Sequence, residues 1–254
     1  MVARVLSELS AFVPAHDEAA NLTGAVDDLL AALASVATRY EVVIVDDGSR
    51  DGTGAIADGL AARHRGLVRV VRHADHRGYG SALRSGLAAA RFEWIFLTDA
   101  DRQFDPSEIP SLVAAIGDAG AAIGYRARRA DRLHRRLYAR GWTALVRLTV
   151  GVDVRDVNCA FKLIRRAALA GAELEATGAT VSAEILGTII RRGHRLVEIP
   201  VSHFPRTAGT PSGGQARVIL RAIRELFALR RKLRGRDAVP RAERTSTAPI
   251  PELR

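Results

Sequence analysis

The sequence predicts an α/β fold built on an open, mainly parallel sheet with helices on both faces. Three observations carry that prediction. Short apolar runs alternate with stretches of helical spacing through the first half of the 254 residues. The lengths of those runs and stretches are those of strands and crossover helices, the pattern of β-α-β units. Three of the runs also end in polar clusters: Ala15-His16-Asp17-Glu18, Asp46-Asp47-Gly48-Ser49 and Asp99-Ala100-Asp101. Open sheets of this kind bind ligands outside the carboxyl ends of their strands.

The elements follow in order. Ser10 to Pro14 reads as a short strand ending in a loop. Glu18 to Thr38 is helical, with Leu22, Val26, Leu29, Leu30 and Leu33 on one face. Glu41 to Val45 is a buried strand, Asp51 to Arg63 a helix, and Leu67 to Val71 a third strand. Gly80 to Ala90 is a helix and Glu93 to Thr98 a fourth strand. Pro106 to Ala119 is helical, with Asp105 placed to cap it, and Ala121 to Tyr125 is a fifth strand. The second half is less regular. Leu133 to Val150 is a helix, Val157 to Ile164 a strand, and Glu173 to Arg192 contains a helix with Glu184 among apolar neighbours. Leu196 to Phe204 is a strand. Arg217 to Leu233 is an amphipathic basic helix. The Pro- and Thr-rich tail from Gly235 lacks periodicity and is expected to be disordered.

Bulk properties narrow the function. The formal charge is +10, and only Lys162 and Lys232 among the 38 basic residues are lysine. Arginine suits bidentate contact with phosphate. Such a charge also fits nucleic-acid binding, but 5% aromatic residues leave little surface for base stacking, so no nucleic-acid partner is expected. The one cysteine, Cys159, rules out an intramolecular disulfide. No signal sequence or run of about 18 apolar residues stands out. A soluble or peripheral, cytoplasmic protein is therefore expected.

The segment from Phe96 to Pro106 carries the most chemistry. Alternate residues of an extended chain share a side, so Asp99 and Asp101 can converge while Ala100 faces away. Two carboxylates that close are unfavourable without a cation between them. Magnesium suits the place, because it binds through one or two carboxylates plus substrate phosphates. A plain acidic loop is the alternative.

Taken together the motifs resemble the family 2 glycosyltransferases of the GT-A fold, nearest to the polyprenyl-phosphate (dolichol-phosphate) mannosyl- and glucosyltransferase branch. The carriers are Val13-Pro-Ala-His-Asp-Glu18, Val43-Ile-Val-Asp-Asp-Gly-Ser-Arg-Asp-Gly-Thr53, Arg77-Gly-Tyr-Gly-Ser-Ala-Leu-Arg-Ser-Gly86, Leu97-Thr-Asp-Ala-Asp-Arg-Gln-Phe-Asp-Pro106 and Glu198-Ile-Pro-Val-Ser-His-Phe-Pro-Arg-Thr-Ala-Gly209. The resemblance spans roughly residues 8 to 210. It implies a Rossmann-like GT-A domain over that range; the residue pattern beyond it gives a basic helix at 211–235 and a tail at 236–254.

The resemblance also implies a nucleotide-sugar donor and Mg2+ or Mn2+. Pro14, Ala15, His16 and Glu18 match the loop against base and ribose. The family often has Tyr-Asn where His16-Asp17 stands. Asp47 matches the carboxylate that reads the base, and Gly78 and Gly80 the turn that lets backbone approach the nucleotide. Asp99, Ala100 and Asp101 match the metal-binding Asp-x-Asp motif, Gln103 a further metal ligand, and Arg206 a phosphate-binding arginine. Asp156 matches a position near the catalytic centre, although the usual Ser-Gly is Cys159-Ala160 here.

Two acceptors remain open. A lipid phosphate needs cations to hold it and no base, and Arg126, Arg128, Arg135, Arg136 and Arg206 could supply them. A hydroxyl acceptor needs a carboxylate base, for which Glu184 is the candidate. The alternative for Glu184 is a structural pair with Arg191 or Arg192. The arginine-dense segment could equally be a solvated face. The Arg217–Leu233 helix could lie on the cytoplasmic face of an anionic membrane, pack on the domain, or join a homodimer. Cys159 is expected to be a buried small residue, and His194 and His203 surface or loop residues.

Overall fold

The computed structural model describes residues 5–129, 133–206, 208 and 216–234, without the side chains at 128–129, 133–137, 216–219 and 234. The expected disorder of 236–254 falls outside these residues. In chain order the elements are β1 (Leu6–Ala15), α1 (Ala19–Val36), β2 (Ala37–Asp46), α2 (Thr53–Arg63), β3 (Val68–Arg72), α3 (Tyr79–Ala89), β4 (Trp94–Thr98), α4 (Ile109–Ala115), β5 (Ala121–Arg129), α5 (Leu133–Val150), β6 (Phe161–Arg165), α6 (Thr180–Arg191), β7 (Leu196–His203) and α7 (Ala216–Arg234).

The strands form one sheet in the order β3-β2-β1-β4-β6-β5-β7. β1 runs parallel to β2 and β4, β2 to β3, and β5 to β7. β6 is antiparallel to both β4 and β5. Two reversals leave β5 and β7 pointing the same way as β1, so the carboxyl ends of all strands but β6 share one edge.

Strand alternation divides the core in two. Ala11, Val13, Val42 and Ile44 pack with Leu22, Val26, Leu60 and Leu112 from α1, α2 and α4. Phe12, Val43, Val45 and Leu97 pack on the other face with Leu83, Val146, Ile185 and Leu226 from α3, α5, α6 and α7. α1 has a mean hydropathy of 1.2 over 18 residues. Its apolar face is buried against the sheet, which accounts for that composition as a core helix.

The structure revises several sequence-based boundaries. The helix expected at Pro106 to Ala119 is a 3-10 turn at Pro106–Glu108 followed by the shorter α4. The Asp105 side chain does accept the Ser107 amide at 2.9 Å, as its capping position suggests. β1 and β2 run to 10 residues each, longer than their apolar stretches, because they pair with each other from Leu6 beside Ala37 to Ala15 beside Asp46. Val157 to Ala160 is a turn before β6 rather than part of it. His203, expected at the surface, is buried with its ring 5.3 Å from Phe104. Cys159 is buried as expected, and burial pushes its thiol up to about 12.

α7 joins the core through Ala222, Leu226, Leu229 and Leu233, all buried. Polar contacts fasten it as well. Glu225 accepts the Thr177 hydroxyl at 2.8 Å and the Gly178 amide at 3.3 Å, and Lys232 lies 3.3 Å from Glu184 on α6.

Candidate active site

The polar strand ends meet on the carboxyl edge of the sheet. β1 and β2 are in register, Ala15 beside Asp46, and the Asp47 amide donates to the Ala15 carbonyl at 2.9 Å. That pairing sets the His16–Glu18 loop against Asp47: His16 Nδ1 lies 3.0 Å from the Asp47 carbonyl. The Glu18 amide donates to Thr53 Oγ1 at 2.8 Å, so the start of α2 holds the start of α1.

Asp47 is buried and densely coordinated. Oδ1 lies 2.6 Å from His73 Nδ1 and accepts the Arg77 amide at 3.0 Å. Oδ2 accepts the Gly78 amide at 2.9 Å and lies 2.9 Å from His76 Nδ1. Gly78 makes this turn at φ +92°, a backbone region that side chains disfavour. Gly80 follows at the start of α3 and donates to the Thr177 carbonyl at 2.9 Å. A methyl group at Gly80 would come 2.3 Å from the Ala176 carbonyl. The second glycine is therefore required by a close backbone approach between α3 and the 176–178 loop.

β4 ends at Thr98 and delivers Asp99 and Asp101 together. Tyr79 donates its hydroxyl to Asp99 Oδ1 at 3.0 Å. Burial, and then the Asp101 charge, push the Asp99 carboxyl up to about 7, against the opposing pull of Tyr79, Lys162 and Arg206. Burial and the Asp99 charge raise the Tyr79 hydroxyl well above its ordinary value, which keeps it a proton donor. Asp101 Oδ1 accepts the Gln103 amide at 3.1 Å, and Oδ2 takes Arg206 Nη2 at 3.1 Å. The same nitrogen donates to Glu18 Oε1 at 2.8 Å. Arg206 reaches this point because Phe204 and Gln103 bind each other twice, at 2.8 and 2.9 Å.

These observations fit a divalent ion. Burial and the Asp101 charge hold the Asp99 carboxyl at about 7 even with Arg206 and Lys162 nearby, so a further cation at the pair would be favourable. Among the described residues no group of three His, Cys, Asp or Glu side chains is arranged to hold a metal. Two carboxylates with Gln103 beside them leave the remaining ligand positions to phosphate and water, the usual arrangement for magnesium.

The structure thus brings Pro14, Ala15, His16, Glu18, Asp47, Gly78, Gly80, Asp99, Ala100, Asp101, Gln103 and Arg206 to one edge. Arg126 has a carboxylate partner of its own. It binds Asp156 through both nitrogens, at 2.6 and 2.9 Å, so its charge is balanced locally. Arg135 and Arg136 lie on α5 and Arg128 on β5, with side chains outside the described set. Glu184 is buried and accepts the Glu175 and Ala176 amides, with Lys232 as its cation in place of the expected Arg191 or Arg192.

Sequence reasoning missed Tyr79, His73, His76 and Lys162. Tyr79 sat inside a quoted motif beside two glycines, and that position was its one signal. Lys162 is fully buried on β6, donates to the Cys159 carbonyl, and is lowered by burial. A lysine in an apolar strand was the available signal for it.

An open α/β sheet with a carboxylate pair at this edge defines a GT-A glycosyltransferase. The chain belongs to glycosyl transferase family 2, whose model matches residues 10–171. It is 30% identical over 235 residues to the dodecaprenyl-phosphate galacturonate synthase of Rhizobium johnstonii, covering 89% of this chain and 69% of that one. It is 32% identical over 207 residues to an undecaprenyl-phosphate 4-deoxy-4-formamido-L-arabinose transferase of Shewanella sediminis, covering 81% and 62%. It is 35% identical over 178 residues to the dolichyl-phosphate beta-glucosyltransferase of Drosophila melanogaster, covering 63% and 55%. The chain therefore spans between about half and about two thirds of the length of these relatives. Among solved structures, glucosyl-3-phosphoglycerate synthase from Mycobacterium tuberculosis in complex with UDP superposes with TM-score 0.68 at 21% identity, covering 88% of this chain and 80% of that one. A mannosyltransferase from Pyrobaculum calidifontis in complex with GDP-Man and Mn2+ gives 0.63 at 20%, covering 91% and 65%.

Proposed function

We propose that this chain transfers a sugar from a nucleoside diphosphate to polyprenyl phosphate, with inversion at the anomeric carbon and with Mg2+ or Mn2+. The carrying observation is the Asp99–Asp101 pair beside Arg206, on the same sheet edge as the Asp47 turn. The names of the relatives, all polyprenyl-phosphate enzymes, support the acceptor.

In this reading Asp47 and the His16 loop hold the nucleoside, Gly78 makes the turn whose amide holds Asp47, and Gly80 seats α3 on the 176–178 loop. Asp99, Asp101 and Gln103 would hold the divalent ion, which as a Lewis acid neutralises charge on the departing diphosphate. Arg206 adds a guanidinium aimed at the same oxygens. Tyr79 fixes the orientation of Asp99. The acceptor phosphate oxygen bonds to the anomeric carbon as the bond to the diphosphate oxygen breaks. The acceptor is already an anion, so no proton has to be removed.

The hydroxyl-acceptor reading loses its base, because Glu184 is occupied in holding the 175–176 amides and Lys232. A membrane-facing location fits α7, whose outer side exposes Leu220 and Phe227 among the exposed Arg221, Arg224 and Arg231.

The test is transfer of label from a panel of UDP- and GDP-hexoses and hexuronates into the organic-solvent phase, with polyprenyl phosphate and Mn2+ or Mg2+. Transfer from at least one donor is expected. Failure with every donor, together with no donor hydrolysis, would sink the proposal.

A further inference from the structure

We propose that the His76 side chain stands in the place of the donor's base, and that the acceptor position it covers on Asp47 selects uracil over guanine. The inference rests on the nucleotide-sugar reading above.

The argument is a count of hydrogen-bond positions. An ionised carboxylate offers about four acceptor positions. Three on Asp47 are filled by hydrogen bonds, from His73 and the Arg77 amide on Oδ1 and from the Gly78 amide on Oδ2, and His76 covers the fourth, its Nδ1 2.9 Å from Oδ2. A base can be read only by displacing one of them. Two are backbone amides of the glycine turn. His73 is buried, and its Nε2 is held 2.8 Å from Ser85 Oγ. His76 is different, with 54% of its side chain exposed.

The backbone beneath His76 is pinned. On one side the His73 amide donates to the Asp46 carbonyl at 2.9 Å, and on the other the Arg77 and Gly78 amides donate to Asp47 at 3.0 and 2.9 Å. The side chain can therefore leave by rotation while the turn stays in place. Its ring also stacks on His16, with centroids 3.9 Å apart and planes 27° apart. When His76 swings out, it frees one acceptor position on Asp47 Oδ2 and one face of the His16 ring together. A flat base with a ring N–H needs both.

One freed position admits one donor. Uracil presents a single N–H, at N3. Guanine presents two side by side, N1–H and the N2 amino group, and would use both carboxylate oxygens, but Oδ1 stays filled by His73 and Arg77. Cytosine and adenine would set a ring-nitrogen lone pair against the carboxylate.

Titration calorimetry of the full chain with UDP and GDP, each with Mn2+, tests this in wild type and His76→Ala. Wild type is expected to bind UDP at least tenfold more tightly than GDP. His76→Ala is expected to bind UDP several-fold more tightly than wild type, because nothing has to be displaced. GDP binding as tight as UDP overturns the selection of uracil. Unchanged or weaker UDP binding by His76→Ala overturns the placeholder role. Binding of neither nucleotide by wild type overturns the nucleotide-sugar reading along with this one.

Discussion

Asp99 shares the end of β4 with Asp101, and burial with that like charge raises its carboxyl from an ordinary 3.8 to about 7. The folded state therefore binds this proton more tightly than the unfolded chain does. The stability it confers is complete below about pH 4 and is lost as pH rises through about 7. Asn at this position cannot ionise. Metal-free Asp99→Asn should melt above wild type at pH 8 and level with it at pH 4, on a scale of roughly 2–4 °C per kcal/mol. Differential scanning calorimetry at the two pH values checks this, and a lower melting point at pH 8 would count against it. Mn2+ should relieve the same repulsion, so it should raise the wild-type melting temperature more at pH 8 than at pH 6. Asp99 and Asp101 were legible in the sequence because alternation along one strand places them together. Tyr79, His73 and His76 were not, because each meets its carboxylate across 20 to 29 residues of chain. No local pattern encodes such a meeting.

The 173–178 segment is held by helices on two sides. Glu184 on α6 binds its 175 and 176 amides, and Glu225 on α7 binds Thr177 and Gly178. The segment in turn receives Gly80 at the start of α3. Glu184→Gln should cost roughly 1–3 kcal/mol of stability, the range for leaving buried partners unsatisfied. Denaturant unfolding measures that cost. Transfer by the remaining folded protein should stay within about tenfold of wild type, well short of the 10²–10⁴-fold usually lost with a general base. Gly80→Val should act differently, pushing the Ala176 carbonyl away and weakening UDP binding tenfold or more by calorimetry. Helices α1 and α7 were legible from their apolar faces, and α2, α3, α5 and α6 as helical stretches of the chain. The split before α4 was less so, since Asp105 caps a 3-10 turn and an α-helix start equally well.

For the whole molecule, the sheet edge was legible while the order of its strands was not. β6 is only five residues, Phe161–Arg165, with Phe161, Leu163 and Ile164 apolar, and so short a run carries no mark of direction. Its reversal returns β5 and β7 parallel to β1. That turn of the chain, with the Phe204–Gln103 pairing, brings Arg206 to Glu18 and Asp101 from the far end of the sheet. The exposed side of α7 should bind vesicles containing anionic lipid and release them at high salt. Phe227→Asp should weaken that binding at least several-fold in co-sedimentation while UDP affinity holds; equal sedimentation with uncharged vesicles would contradict it. The central claim is that the carboxylate pair at the end of β4 drives sugar transfer to a lipid phosphate. Its most direct measurement compares wild type and Asp101→Ala for label transferred from the active donor to polyprenyl phosphate at saturating Mn2+. A loss of about 10²-fold or more, on the scale of removing one transition-state contact, is the predicted result. Transfer by Asp101→Ala within tenfold of wild type would contradict it.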